Sequence, residues 1–125
     1  MTDHKKETPD RFYRMLGLAR RAGKLTIGTP LTLQGLHKGS VRLLIVSSLA
    51  SSATQKKMET QSAYYRIPLL TVEIPPEELA RLLGKQAPVV SVGVTDDRFA
   101  AELTKSSGKE DSESDIDSVL SEHGV

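Results

Sequence analysis

Gly28, Thr29 and Pro30 are the residues of this 125-residue chain whose types and order most directly suggest chemistry. A glycine lets another backbone come close, and a threonine ahead of a proline suits the start of a helix. Proline at the first helical position loses nothing, because its missing N–H would have had no partner there. Thr29 is therefore the expected N-cap and Pro30 the first helical residue. The free N–H groups and partial positive charge of such a start attract phosphate oxygens. Gly39 ends the helix after about three turns, since glycine reaches the left-handed conformation without steric cost. Gln34 and Lys38, four apart, share one face of it, and Leu33 and Leu36 hold the other against a sheet.

The charges agree with an anionic ligand. No Asp or Glu occurs between Asp10 and Glu59, whereas nine lysines and arginines do. The overall net charge of +1 conceals −4 over residues 105–125 against +5 over the rest. A polyanion is the partner such a body selects. Arg20, Arg21 and Lys24 close the first predicted helix, where they offset the negative end of its dipole. Lys24 is also the cation closest to Gly28 along the chain, so it is expected at the anion site.

Enzymatic chemistry finds little support. The chain has no cysteine, which removes disulfides, thiolate metal sites and cysteine catalysis together. His4 and His123 fall in expected tails, and His37 lies near a helix end, where dipole compensation explains it. Asp96 and Asp97 sit in the first turn of a helix and suit capping better than acid–base work. Gly17 to Lys24 superficially resembles a phosphate-binding loop. Five residues rather than four separate its glycines, however, Leu25 stands where Ser or Thr is required, and the segment follows a helix rather than a strand. No cofactor or metal is called for.

The elements that must position these residues follow from periodicity. Phe12, Met15, Leu16 and Ala19 predict a helix from about Pro9 to Ala22. A short strand precedes Gly28. Leu43-Leu44-Ile45-Val46 is a continuous apolar run, as in a strand covered on both faces. A helix over about 53–65 carries Lys56 and Lys57 outward, and Tyr64 and Tyr65 near its end leave at most one ring exposed. Ile67 to Val72 forms a strand with Pro68 at its start or on an edge. Pro75-Pro76-Glu77-Glu78 opens a helix buried through Leu79, Leu82 and Leu83. Val89 to Val94 gives another buried strand, and Thr95 is expected to cap a last helix with Phe99 and Leu103 on its inner face.

These elements predict one α/β domain over residues 9–104, a three-layer α/β/α sandwich on a mixed sheet of about four strands. Residues 1–8 are expected to be a disordered N-terminus and 105–125 a disordered, acidic, serine-rich tail. Ile116, Val119 and Leu120 are spaced for a helical turn or two, although chance explains that spacing in a tail. No apolar run approaches roughly 18 residues and the opening residues lack an apolar stretch. A cytoplasmic protein without a membrane segment is expected.

The order of elements, and several local runs, resemble the ribosomal L-seven-Ae / L-thirty-e family of RNA-binding proteins, especially its bacterial YlxQ-like branch. The runs are Leu16 to Leu25, Gly28, Gly39 to Val46, Ala50-Ser51, Tyr64 to Pro68, Leu83-Gly84-Lys85 and Val92 to Asp96. The resemblance spans roughly residues 14–104. It implies an RNA-binding face made by the Gly28 turn, the helix after it and the loop before the last strand, where Gln86, Pro88 and Val89 stand. Kink-turn-binding members carry Asn, Glu and Lys at the positions held here by Pro30, Leu31 and Gln34, and Thr32 occupies a place where the family has a small β-branched residue. Pro30 and Leu31 offer no side-chain donor or acceptor to a base.

The sequence thus predicts a non-enzymatic, monomeric RNA-binding protein for structured, above all ribosomal, RNA, with ribosomal or RNA-processing proteins as further partners. Its expected contacts are Arg20, Arg21, Lys24, Gly28, Thr29, Thr32, Gln34, Lys38, Gln86, Pro88 and Val89. The alternative is a protein-interaction adaptor that keeps the fold without the base contacts.

Overall fold

The computed structural model describes residues 3–108. The elements run α1 (Asp3–Arg21), β1 (Leu25–Ile27), α2 (Thr29–Lys38), β2 (Leu43–Ser47), α3 (Ser52–Tyr65), β3 (Leu69–Val72), α4 (Pro76–Leu82), β4 (Ser91–Val94) and α5 (Asp97–Ser106). The strands form one sheet in the order β1-β4-β2-β3. β2 and β3 are parallel, and β4 runs antiparallel to both β1 and β2. The sheet is therefore mixed, as the sequence predicts.

Every residue of β2 is buried, and alternation sends its side chains to two different layers. Leu43 and Ile45 join Phe12 and Leu16 of α1, Leu79 of α4 and Leu103 of α5. Leu44 and Val46 meet Leu36 of α2 and Met58 of α3 on the opposite face. Helices α1, α4 and α5 thus cover one side and α2 and α3 the other, giving three layers. Leu16, Leu44 and Ile45 are wholly inaccessible. Truncating any of them to alanine would cost about 2–5 kcal/mol.

Several boundaries differ from the sequence reading. Helix α1 begins at Asp3, ahead of the Thr8-Pro9 start. Pro9 cannot donate to the carbonyl of Lys5, so the ladder loses one rung there without ending. At the other terminus, α5 reaches Ser106, so Lys105 and Ser106 belong to the domain rather than to a tail. Ser106 is buried and its hydroxyl donates to the Leu103 carbonyl. Asp96, not Thr95, caps α5, accepting from the Phe99 N–H at 2.9 Å. Thr95 is still engaged with the sheet, its N–H donating to the Lys24 carbonyl. The remainder of the acidic segment, with Ile116, Val119 and Leu120, lies outside the described residues. Among the described residues no helix is long and apolar enough to cross a membrane.

Candidate nucleic-acid interface

β1 ends at Gly28, whose φ of 96° and ψ of 154° lie in a region that side chains strongly disfavour. The Gly28 N–H donates to the Ser91 carbonyl at 2.9 Å, and its own carbonyl accepts from the Thr32 N–H at 3.1 Å. One residue thereby extends the β1–β4 ladder and starts α2. Gly28 itself is the N-cap, and no side chain caps this helix.

Thr29 therefore does not cap, contrary to the sequence expectation. It is the first helical residue, and its Oγ1 turns inward to lie 2.7 Å from Ser91 Oγ. With no side-chain cap and a proline at the second position, the first-turn N–H groups of Thr29 and Leu31 face outward as helix-terminus donors. Pro30, Leu31 and Gln34 are exposed around them.

The loop before β4 closes on the same end of the sheet. Val89 N–H donates to the Pro76 carbonyl, and the Val90 carbonyl accepts from Ser47 N–H. Ser47 Oγ donates to the Ile74 carbonyl at 2.6 Å and accepts from Leu49 N–H. Three segments consequently meet there: the Gly28 turn, residues 86–90 and the 47–51 turn. Gln86 and Pro88 are exposed, whereas Val89 is buried in the core. Val89 thus supports this loop from beneath and presents no surface of its own.

Thr32 also leaves the predicted contact set. It is inaccessible, with its Oγ1 3.0 Å from Thr26 Oγ1 and 3.3 Å from the Thr26 carbonyl oxygen. The cause is the approach of α2 to the sheet. A Cβ on Gly93 would stand 2.5 Å from Thr26 Oγ1 and 3.2 Å from Thr32 Cγ2, and one on Gly35 would stand 2.8 Å from Val41 Cγ2. Two glycines let the helix sit low, and the residue between helix and strand is buried. Ser91 and Gly93, the small residues alternating with Val92 and Val94, were the sequence signal for that approach.

The largest correction concerns charge. Leu25 pairs with Val94 and Ile27 with Val92, so Lys24 stands at the far end of β1 from Gly28. Four extended residues separate the two by about 13 Å. Lys38 ends α2, about 15 Å along the helix from its start. Arg21 closes α1 beside Lys24. Arg20 places its guanidinium 3.5 Å from where a Cβ of Gly84 would be, touching the backbone just after α4. None of these cations stands at the Gly28 turn.

A three-layer sandwich on a β1-β4-β2-β3 sheet, with a glycine-capped helix start braced against the loop before the last strand, defines the class. The sequence profile of the ribosomal protein L7Ae/L30e/S12e/Gadd45 family matches residues 10–104, and the chain belongs to that family. The RNA-binding protein YlxQ of Bacillus subtilis (strain 168) is 38% identical over 92 residues, 74% of this chain and 90% of its own length. Its namesake from Enterococcus faecium is 34% identical over 86 residues, 69% of this chain and 81% of its own. Among solved structures, a protein of unknown function from Bacillus halodurans C superposes with a TM-score of 0.72 at 33% identity, covering 78% of this chain and 97% of its own. The 15.5kD RNA binding protein of Giardia lamblia shares the fold, with a TM-score of 0.65 at 13% identity, covering 82% and 87%.

Proposed function

We propose that this protein binds structured RNA, ribosomal RNA foremost, in the cytoplasm and without catalysis, using the Gly28 end of the sheet. The observation that carries this reading is the uncapped start of α2, locked by the Thr29–Ser91 hydroxyl pair to the strand that the Gln86–Val90 loop feeds. Outward N–H groups there suit phosphate oxygens. The names of the YlxQ relatives support RNA as the ligand. Pro30 and Leu31 stand exposed where the kink-turn binders carry Asn and Glu, so base contacts fall to Gln34, Gln86 and the backbone, and recognition rests on shape and phosphate.

Filter binding of the full chain to fragments of ribosomal RNA tests the reading. Selective retention that weakens as salt rises is expected. Affinity indifferent to salt, or equal to that for random duplex DNA, overturns it.

A second reading has an observation of its own. Leu31 is 53% exposed and Leu49 62%, both at the Gly28 end, which fits a protein adaptor surface. Partners that stay bound after nuclease treatment would favour it.

A further inference from the structure

The three segments that meet at the Gly28 end carry no charge: residues 28–34, 47–55 and 86–92 contain no Asp, Glu, Lys or Arg. These segments supply N–H donors, polar amides and apolar contact, but none of the charge whose counterion release dominates affinity for a polyanion. Exposed Lys56 and Lys57, in the second turn of α3, and Lys85, next to Gln86, flank these segments, and a separate group of cations stands at the opposite end of the sheet. Lys24 precedes β1, Arg42 precedes β2, and Arg66 follows α3 ahead of β3.

The sheet itself places these three in a row. Leu25 and Leu43 both pair with Val94, and Leu44 pairs with Leu69. Lys24 and Arg42 are thus two strand spacings apart, about 10 Å, and Arg66 comes roughly one spacing further. Thr95 N–H on the Lys24 carbonyl and Arg42 N–H on the Val94 carbonyl, at 2.9 and 2.6 Å, hold the edge together. Lys38, at the end of α2, stands over the row, and the 2.9 Å contact between Tyr65 OH and His37 Nδ1 joins the ends of α2 and α3 behind it. All four cations are exposed.

Two carboxylates face them. Asp96 is engaged in capping α5. Asp97 lies 3.5 Å from Arg42 Nε, with both side chains solvated, so it tempers one cation and leaves the others. Dipole compensation accounts for His37 and Lys38 in the last turn of α2, but Lys24 and Arg42 lie outside any helix. Arg66 is more telling. It closes α3 with φ 57°, whereas every other described residue at positive φ is a glycine. A side chain kept in that conformation works against local stability, which points to a role for the guanidinium it projects.

We propose that this Lys24–Arg42–Arg66 edge, with Lys38, is a second RNA contact that grips phosphates of the same RNA held at the Gly28 end and adds to the salt dependence of binding. It rests on the RNA-binding reading above. The two ends are joined by the exposed stripe Leu31, Gln34 and Lys38 along α2. That length of about 10 Å is spanned by about four nucleotides at roughly 3.4 Å of rise each.

The test uses the full chain and a labelled ribosomal RNA fragment retained by the wild-type protein, titrated at several salt concentrations. The triple variant Lys24→Gln, Arg42→Gln, Arg66→Gly is compared with Leu31→Glu, which alters only the Gly28 end. The proposal expects the triple variant to bind about tenfold more weakly near 0.1 M salt. Its log–log salt slope should fall by about 2, at roughly 0.7 per lost phosphate contact. Arg66→Gly alone, which relaxes the backbone and so keeps the fold, should lower the slope by about 0.7. Unchanged affinity and slope in these variants, with binding lost in Leu31→Glu, would overturn the second contact and leave the first. Wild-type protein that retains RNA with no salt dependence, or none at all, would overturn both.

Discussion

Thr29 Oγ1 lies 2.7 Å from Ser91 Oγ, so the first residue of α2 and the first residue of β4 are joined by their side chains. Ser91 is inaccessible to solvent. Thr29→Val would therefore leave a buried hydroxyl without this partner, at a cost of about 1–3 kcal/mol. The double variant Thr29→Val, Ser91→Ala removes both polar groups and should recover most of that loss. Chemical denaturation of Thr29→Val, Ser91→Ala and the double variant gives the coupling energy. If the pair also sets the spacing of the two loops proposed to contact RNA, the double variant should regain stability but not RNA affinity. Full recovery of both would reduce the pair to packing.

Gly93 is the position where α2 comes closest to the sheet. A methyl group there would meet Thr26 Oγ1 at 2.5 Å and Val41 Cγ2 at 3.0 Å, and neither residue is the flexible end of a long side chain. Gly93→Ala should destabilise the domain by about 1–3 kcal/mol, the usual range for overpacking. A thermal midpoint unchanged from wild type would mean that the helix can rise off the sheet without loss.

Pro30, Leu31 and Gln34 are all exposed, so changing them should not disturb the core. Replacing them together with Asn, Glu and Lys restores the side chains that kink-turn-binding relatives carry at these positions. Each good bidentate base contact contributes about 1–3 kcal/mol. The triple replacement should accordingly strengthen binding to a kink-turn RNA by several kcal/mol, measured by calorimetry. An unchanged dissociation constant with the fold intact would mean that Gly28 does not align with the glycine of those proteins.

Much of the fold was legible because its signals are local. The unbroken apolar run Leu43 to Val46 gave a strand buried on both faces, and Gly39 ended α2 in the left-handed conformation, whereas the cap of α5 fell one residue beyond the expected Thr95, on Asp96. The candidate site was less legible because its signals are not local. Thr32 has the polarity of a contact residue, and only the low seat of α2 over Gly93 buries it. Lys24 is four residues from Gly28 along the chain, but an extended strand turns four residues into the whole height of the sheet. Arg66 could not be singled out at all, since nothing in Tyr64-Tyr65-Arg66-Ile67 announces a positive φ where glycine is the usual choice.

The acidic segment gives the last prediction. Residues 109–125 carry one lysine against six carboxylates, and the Lys24–Arg42–Arg66 edge is a concentration of opposite charge on the same chain. Helix α5 starts beside that edge and carries the chain about 15 Å away from it. If these 17 residues take random-coil dimensions, their end-to-end distance is about 23 Å, enough to come back. Tethering makes its effective concentration millimolar, so weak attraction suffices to occupy the cationic edge part of the time. The cut belongs after Gly108, because Ser106 is buried and an earlier one would damage the domain. Removing residues 109–125 should strengthen RNA binding at low salt, and the gain should shrink as the screening length falls to about 8 Å near physiological ionic strength. The Lys24→Gln, Arg42→Gln, Arg66→Gly variant should show a smaller gain from the same truncation, because it has lost the surface the tail would occupy. Equal affinity of the full and shortened chains at low salt would eliminate self-competition, and weaker binding by the shortened chain would show that the tail makes RNA contacts of its own.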